Sequence, residues 1–287
     1  MQKLETDREH AALLIHGLSG NPLEMQYLAK RLRQAGFATS VPHFKGYGFG
    51  ERSDPFATGS WREWRAQVLE RFDELARNYR SVSVSGLCVG AVLALDLAAE
   101  RPGEVAALSL LATTLAYDGW SLPWYQFLAP LAYYTPLRYR YSYRERHPYG
   151  VKNESLRRWI AREMSEKTTS IAGASILPMT AVYQAKKLIR HVRRVIPAVT
   201  APALVIHARE DDVASLKSAE FVLDNIGSDD VDFVLLHDSY HIVTLDNEKD
   251  LVASETIRFF RDRTKTSAAA SAGNAAAEHP ATKSAVA

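Results

Sequence analysis

A cysteine between two glycines is the feature of this 287-residue chain best suited to nucleophilic chemistry. Residues 85–90, Ser-Gly-Leu-Cys-Val-Gly, follow an apolar run and precede a stretch rich in alanine and leucine. A Gly-x-nucleophile-x-Gly pattern between a strand and a helix is typical of a nucleophile elbow, a sharp turn that needs small flanking residues. The helix N-terminus favours the thiolate of a cysteine in such a turn. A buried structural cysteine is the alternative, and we favour Cys88 as a nucleophile.

Two further predicted strand ends carry side chains that could complete a catalytic triad with Cys88. A nucleophile needs a base, and the base needs an orienting acid. Residues 207–212, His-Ala-Arg-Glu-Asp-Asp, follow one apolar strand, and Ser-Tyr-His241 follows the next. Because sites in such sheets lie beyond the carboxyl ends of the strands, we predict His241 as the base and Asp211 as the acid. Asp212 is the alternative acid.

Two other histidines have competing interpretations. His237 could be a base or a surface residue, and its position inside the predicted strand disfavours a catalytic role. His16 precedes a glycine in the first loop, where a histidine more often braces the loop through a hydrogen bond. Neither is therefore a preferred catalytic residue.

An acyl-transfer site also needs two backbone N–H groups aimed at the developing oxyanion. The residue after the nucleophile, Val89, would supply one. The loop His16-Gly17-Leu18 would supply the other from Leu18, because its glycines allow close approach of the backbone.

The elements that must position these residues alternate between strands and helices. Apolar runs predict strands, and helical spacing, with Ser60 and Glu63 as a capping box, predicts helices. Such alternation predicts an α/β fold with a mostly parallel central sheet flanked by helices. The predicted strands are residues 11–15, 37–41, 82–88, 105–111, 203–207 and 231–236, and the predicted helices are 22–34, 60–79, 91–100, 215–226 and 248–260.

The alternation stops after Thr113 and resumes near residue 196. We therefore predict a core of residues 1–114 and 196–264, with residues 115–195 as an inserted helical cap. Residues 265–287 are rich in Ala, Ser and Thr and have little apolar surface to bury. They are therefore expected to form a disordered tail.

Composition excludes several classes of protein. One cysteine permits no internal disulfide, and the polar N-terminus and the lack of a long apolar run predict neither a signal peptide nor a transmembrane segment. We expect a cytoplasmic protein. Neither a metal-ligand cluster nor a nucleotide or cofactor motif is apparent in the sequence, so we predict no metal and no cofactor.

The predicted cap is basic and aromatic. Residues 115–195 hold fourteen Lys or Arg against five Asp or Glu, whereas the rest of the chain is net acidic. Trp120, Trp124 and Tyr125 could line an acyl pocket. The basic residues could attract coenzyme A or an acyl carrier protein, contact an anionic membrane, or, as in residues 186–194, form a solvated helix face. No nucleic-acid module is apparent, so we predict no nucleic-acid partner.

Five motifs resemble those of the α/β-hydrolase superfamily, and in particular those of bacterial carboxylesterases and monoacylglycerol lipases. The resemblance covers nearly the whole folded chain and implies the α/β-hydrolase fold. It also implies a triad in the order nucleophile, acid, histidine, which Cys88, Asp211 and His241 follow. A serine would be implied at position 88, and the cysteine there is similar to the nucleophile of dienelactone hydrolases and polyhydroxyalkanoate synthases. The motifs are residues 14–20, 45–48, 86–90, 208–211 and 239–246.

A cysteine nucleophile changes the expected chemistry. An acyl-cysteine is itself a thioester, so exchange with a thioester substrate is nearly balanced in energy. We expect an acyl-transfer enzyme, either a hydrolase or an acyltransferase, that acts on a small ester or thioester through a covalent acyl-cysteine. A non-catalytic small-molecule binding protein on a hydrolase scaffold is the alternative. An engineered replacement of serine by cysteine at position 88 would also give this sequence.

Overall fold

A parallel sheet lies at the centre of the computed structural model, which describes residues 9–48, 58–122, 124–166, 169–170, 173–174 and 176–277. Every pair of neighbouring strands in this sheet is parallel. Across the sheet the strands are β10 (Val231–Leu236), β9 (Ala203–Ala208), β4 (Val105–Leu111), β3 (Ser81–Leu87), β1 (His10–Ile15) and β2 (Ala38–Ser40). The prediction of a mostly parallel sheet in an α/β fold is confirmed.

Helices cover both faces of the sheet. The second of them begins with the predicted capping box, in which the Ser60 hydroxyl accepts from the N–H of Glu63 at 3.3 Å and the Glu63 carboxylate accepts from the N–H of Ser60 at 2.7 Å. The helices are α1 (Leu23–Gln34), α2 (Trp61–Asn78), α3 (Val89–Glu100), α4 (Ala129–Tyr134), α5 (Glu154–Glu166), α6 (Met179–Val195), α7 (Lys217–Asn225) and α8 (Lys249–Ala277).

The side chains of β1 alternate between two hydrophobic cores. Leu13 and Ile15 face the core formed with α2, α3 and α6. Ala12 and Leu14 face the core formed with α1 and α8. Because successive side chains of a strand point to opposite faces, a strand that is apolar at every position must be covered on both sides.

The strand order reverses between β1 and β3. The chain passes from β1 to the edge strand β2 and then returns to β3 on the other side of β1. Loops that follow β1 and β3 therefore lead away in opposite directions and leave a crevice at the carboxyl ends of the strands. Cys88 and the loop that begins at His16 follow these two strands directly.

The segment between β4 and β9 contains α4, α5, α6 and two small antiparallel sheets. One sheet pairs β5 (Ser142–Arg144) with β8 (Ile176–Pro178), and the other pairs β6 (Thr169–Ser170) with β7 (Gly173–Ala174). Helix α6 packs on α3 and contributes buried side chains to the core. The division of the chain into core, cap and tail stays a prediction.

The C-terminal helix α8 continues past residue 264, where the predicted tail begins, to Ala277. Alanine has the highest helix propensity, which accounts for helical backbone in this alanine-rich stretch. Residues 278–287 lie outside the described residues. Within the described ranges, none of the helices has the length and apolarity that a membrane crossing requires, and no cluster of His, Cys, Asp and Glu is arranged to hold a metal ion.

Candidate active site

The turn between β3 and α3 holds Cys88 in a backbone conformation that few residues adopt. Its φ is 59° and its ψ is −121°, a combination that costs of order 1–3 kcal/mol. The N–H of Cys88 donates to the carbonyl oxygen of Leu111 at 2.9 Å and ties the turn to β4. Helix α3 begins at Val89, directly after Cys88 and two residues before the predicted start.

Two glycines allow this turn to form. A β-carbon on Gly86 would lie 2.2 Å from the carbonyl oxygen of Gly90, and one on Gly90 would lie 2.5 Å from the carbonyl oxygens of Ile15 and His16. Carbon and oxygen atoms that are not bonded do not approach so closely. The two glycines are therefore required by close packing of the turn on itself and on β1.

Cys88 is partly exposed, on the wall of a small pocket of about 100 Å³. This space, here named the nucleophile pocket, is lined by residues that follow β1, β3, β9 and β10 and by residues of the segment between β4 and β9. The hydroxyl of Thr114 donates to the Sγ of Cys88 at 3.3 Å. The sequence analysis missed Thr114, although a hydroxyl residue just after β4, next to β3, is a signal that could have identified it.

His241 lies in the same pocket, and Asp211 holds its imidazole ring. The Nδ1 of His241 lies 2.8 Å from Oδ2 and 3.0 Å from Oδ1 of Asp211, so Nδ1–H donates to the carboxylate. The Nε2 of His241 is buried, and a hydrogen bond to Cys88, besides the one to Asp211, contributes to the raised pKa of His241. Nε2 is therefore available to exchange a proton with a group in the nucleophile pocket.

Electrostatics keep the histidine and the aspartate charged. Burial lowers the pKa of His241, but the negative charges of Asp211 and Cys88 outweigh it and raise this pKa well above its usual value. Burial acts to raise the pKa of Asp211, but the charge of His241 and hydrogen bonds lower it. The N–H groups of Val213 and Ala214 each donate to Oδ1 of Asp211 at 2.8 Å, and the bond from Ala214 contributes to the lowered pKa. The two side chains thus form a buried ion pair.

Asp212 contacts the backbone of His241 rather than its ring. Its Oδ1 accepts from the N–H of His241 at 3.3 Å, and its Oδ2 accepts from the N–H of Gly150 at 3.2 Å. Burial raises the pKa of Asp212. Of the two acids that the sequence left open, Asp211 is thus the one beside the imidazole. His237 is exposed and does not line the nucleophile pocket.

The predicted oxyanion donors lie on the two loops that flank Cys88. Leu18 lines the nucleophile pocket, and a β-carbon on Gly17 would lie 3.6 Å from the Cβ of Cys88. Val89 is the first residue of α3, where an N–H has no partner within its helix. The buried His16 has its Nδ1 2.9 Å from the carbonyl oxygen of Gly17, an arrangement that braces the loop.

A buried glutamate that the sequence analysis did not identify lies beside this loop. Oε2 of Glu24 accepts from the N–H of Gly17 at 2.9 Å, and Glu24 lines the nucleophile pocket. Burial raises the pKa of Glu24 to about 7. An acidic residue is ordinary in the first turn of a helix, so the sequence carries no signal for this position.

A larger cavity of about 320 Å³ adjoins the nucleophile pocket. It is named the cap cavity here, because most of its wall comes from residues 115–195. Tyr117, Glu145, Leu177 and Val213 line both spaces. The wall is mainly apolar, so a carbon chain attached to a reacting group at Cys88 could extend into this cavity.

The three aromatic residues predicted to bind substrate have different positions. Tyr125 lines the cap cavity. Trp120 lies outside the cavity wall, where its Nε1 donates to a backbone carbonyl at 2.9 Å and its ring packs against Tyr240. Trp124 is 83% exposed and is also absent from that wall. Trp124 and Tyr125 lie in a short 3₁₀ helix, Trp124–Leu128, whose successive side chains point in different directions.

Comparison with known proteins agrees with the fold. A parallel sheet flanked by helices, with a sharp turn at its carboxyl edge, defines an α/β-hydrolase, and the relatives below are of the esterase and lipase type. The family model described as serine aminopeptidase S33 matches residues 6–250. The chain belongs to this family of hydrolases.

Two curated relatives align over most of the chain. A carboxylesterase of Bacillus subtilis is 26% identical over 257 residues, covering 88% of this chain and 92% of the relative. A thermostable monoacylglycerol lipase of Bacillus sp. strain H-257 is 25% identical over 255 residues, covering 86% and 89%.

Solved structures agree in fold. A structure of the metagenome-derived lipolytic enzymes LipS and LipT gives a TM-score of 0.74 at 23% identity and covers 88% of this chain and 94% of that one. A soluble variant of monoglyceride lipase from Saccharomyces cerevisiae, in complex with a substrate analogue, gives 0.73 at 15% identity, with coverages of 92% and 89%.

Proposed function

We propose that this protein hydrolyses carboxylic esters through a Cys88–His241–Asp211 triad and a covalent acyl-cysteine intermediate. The observation that carries the proposal is that Cys88, in its strained turn, shares one pocket with His241, whose imidazole is held by the buried Asp211. A carboxylesterase and a monoacylglycerol lipase are among the relatives, which supports an ester as the substrate.

In the first half-reaction the thiolate of Cys88 attacks the ester carbonyl carbon, and a carbon–sulfur bond forms. The carbonyl electron pair moves to oxygen, where the N–H groups of Leu18 and Val89 stabilise the negative charge. When that pair returns, the bond to the alcohol oxygen breaks, and His241 gives its Nε2 proton to the leaving oxygen. The raised pKa of His241 supports this step, because it keeps the proton on the imidazole before the attack.

In the second half-reaction water replaces the sulfur. Neutral His241 takes a proton from the water, whose oxygen attacks the thioester carbonyl. The carbon–sulfur bond then breaks, the carboxylic acid leaves, and Cys88 returns as a thiolate beside the protonated imidazole. Asp211 stays ionised, and its hydrogen bond to Nδ1 keeps Nε2 directed at the substrate. The Thr114 hydroxyl would stabilise the sulfur anion by donating to it.

Transfer to an acceptor other than water, and a thioester as the acyl donor, stay predictions from the chemistry of cysteine. Coenzyme A or an acyl carrier protein is acidic and would meet exposed cap residues such as Arg140, Arg144 and Arg158. We would measure the rates with an acyl thioester and with the oxygen ester of the same acid, each at low and high salt. The comparison separates a carrier-bound thioester from a simple ester as the acyl donor. A carrier-bound donor predicts a strong salt dependence for the thioester alone.

The alternative function is a non-catalytic binding protein, in which the pocket is kept but one member of the triad does not perform its catalytic role. The hydrogen-bonded His241–Asp211 pair beside Cys88 favours an enzyme instead. Iodoacetamide labelling near neutral pH discriminates between them, because the thiolate of a triad reacts fast and an inert structural thiol reacts slowly. Cys88 is the one cysteine of the chain, so the label reports on this residue alone.

The proposed function is tested by turnover of short p-nitrophenyl esters. We expect the wild type to hydrolyse them and Cys88→Ala to lose this activity. The folded state of the variant is checked by circular dichroism and thermal unfolding. Undiminished turnover by a folded Cys88→Ala variant would remove Cys88 from the mechanism.

A further inference from the structure

The cap cavity contains a cation, Lys186, for which the described residues provide no ion-pair partner. Lys186 of α6 lines the cavity, and its Nζ lies 5.7 Å from the ring centroid of Tyr117 and 5.8 Å from that of Tyr133. No ion pair to Lys186 occurs in the part of the chain that the structure describes. The Lys186 side chain is only partly exposed, and this burial lowers its pKa.

The acidic group that acts on Lys186, Asp118, has other partners. Asp118 acts to raise the pKa of Lys186, but its carboxylate oxygens accept from the N–H of Ser215 at 2.8 Å and from the Ser215 hydroxyl at 2.7 Å. Arg193 acts in the opposite direction and lowers the pKa of Lys186. A partly buried charge is costly without a partner, so a ligand of negative charge would stabilise the ammonium.

The other ionisable residues on the wall do not neutralise Lys186. Burial raises the pKa of Glu145 to about 7, so near neutral pH this side chain carries only part of its charge. Asp212 is bound to the backbone N–H groups at positions 150 and 241. Arg146 adds a second positive charge on the wall, in an exposed position. Neither Glu145 nor Asp212 is among the charges that act on Lys186, so the surroundings of this ammonium group favour an anion.

Tyr117 connects this cation to the nucleophile pocket. It lines both spaces. Its hydroxyl is buried without a hydrogen-bond partner among the described residues. Burial, followed by the charge of Cys88, raises the pKa of this phenol well above its usual value, so the hydroxyl remains a donor. A substrate that extends from Cys88 into the cap cavity would pass this donor and meet the ammonium of Lys186.

We propose that Lys186 binds a carboxylate on the substrate, so that the preferred substrates are esters that carry one negative charge, such as half-esters of dicarboxylic acids. This inference rests on the proposed ester hydrolysis. The single carboxylate matches the ammonium of Lys186, and the apolar wall accepts the carbon chain between carboxylate and ester.

The test compares two series of methyl esters with the full-length enzyme. One series consists of monomethyl esters of dicarboxylic acids of increasing length, and the other of methyl esters of monocarboxylic acids of the same lengths. The readout is the ratio of kcat/KM for the charged ester to kcat/KM for the neutral one. At the best length we expect this ratio to fall roughly 10- to 100-fold in Lys186→Met, the size of the effect of a hydrogen bond to a charged group.

Two further variants separate a specific contact from a general effect of charge. Lys186→Arg keeps the charge and should retain most of the preference. Lys187→Met removes a neighbouring charge whose Nζ lies 4.6 Å from the ring centroid of Tyr183 and which does not line the cavity. It should leave the ratio unchanged. Calorimetry of half-ester binding to Cys88→Ala, with and without Lys186→Met, gives a readout that does not depend on turnover.

The proposal is overturned if Lys186→Met keeps the wild-type ratio, if Lys187→Met lowers the ratio as much, or if half-ester binding is insensitive to residue 186. An enzyme that hydrolyses neutral esters without any preference for half-esters also overturns it and leaves the proposed function intact. Turnover that survives Cys88→Ala would instead overturn the proposed function.

Discussion

Replacing Asp211 with asparagine removes the charge that holds His241 in its catalytic state. The carboxylate accepts from Nδ1 of His241 at 2.8 Å and from the N–H groups of Val213 and Ala214. An asparagine can keep its oxygen toward the two backbone donors only by turning its NH₂ group toward the ring. Nδ1 must then accept, and the proton moves to Nε2, where neutral His241 can no longer act as a base.

Two measurable effects follow from this substitution. Loss of general base catalysis should lower kcat by roughly 10²- to 10⁴-fold. The negative charge of Asp211 is the largest influence that raises the pKa of His241, and losing an opposite charge at this distance lowers a pKa by about 1–3. The imidazolium would therefore lose its proton at lower pH. The alkaline limb of the kcat/KM profile should move to lower pH by at least about one pH unit.

The assay is the pH profile of kcat/KM with a short p-nitrophenyl ester for wild type, Asp211→Asn and Asp212→Asn. The second variant is the matched control, because Asp212 is also buried and contacts the backbone of His241 instead of its ring. We expect a smaller loss of rate and a smaller displacement of the alkaline limb for it. A larger effect of Asp212→Asn, or an unmoved alkaline limb in Asp211→Asn, would refute the assignment of the acid.

Two further predictions concern stability. Gly86→Ala should lower the free energy of unfolding by at least 1–3 kcal/mol, because the added β-carbon would lie 2.2 Å from the oxygen of Gly90. Gly103→Ala is the control, because φ at Gly103 is +78° and a β-carbon there would meet nothing within 4 Å. It should lower the free energy of unfolding by only about 1 kcal/mol. Equal losses for the two variants in urea unfolding would argue against close packing at Gly86. Glu24 has a pKa raised to about 7 by burial, so the folded state favours its protonated form and stability is lost as pH rises from about 4.5 to 7. Glu24→Gln should remove this loss, which is worth roughly 3 kcal/mol in the free energy of unfolding. If the free energies of unfolding of variant and wild type differ by the same amount at every pH in that range, the prediction is contradicted.

The core of the fold could be predicted from local sequence because its signals are local. Residues 11–15 are apolar at every position, and this pattern predicts a strand covered on both faces, as β1 is. Ser60 and Glu63 mark the start of α2 because a capping box depends on residues three apart. The position of Cys88 depends on Gly86 and Gly90, which lie two residues away on either side.

The parts of the site that the sequence did not identify depend on contacts between different secondary-structure elements. Thr114 meets the sulfur of Cys88 because β3 and β4 are neighbours in the sheet, and Glu24 meets Gly17 across a loop. The sequence assigned Lys186 to a solvated helix face, yet it lines the cap cavity, because α6 packs on α3 in an orientation that its own periodicity does not specify.

The central claim is that Cys88 carries the acyl group, and mass spectrometry of the trapped enzyme tests it most directly. The protein is mixed briefly with a p-nitrophenyl ester, quenched in acid and digested. The account predicts a mass increase of one acyl group on the peptide that contains Cys88, lost on longer incubation and absent from Cys88→Ala. Steady turnover without a modified Cys88, or an acyl group found on another residue, would contradict it.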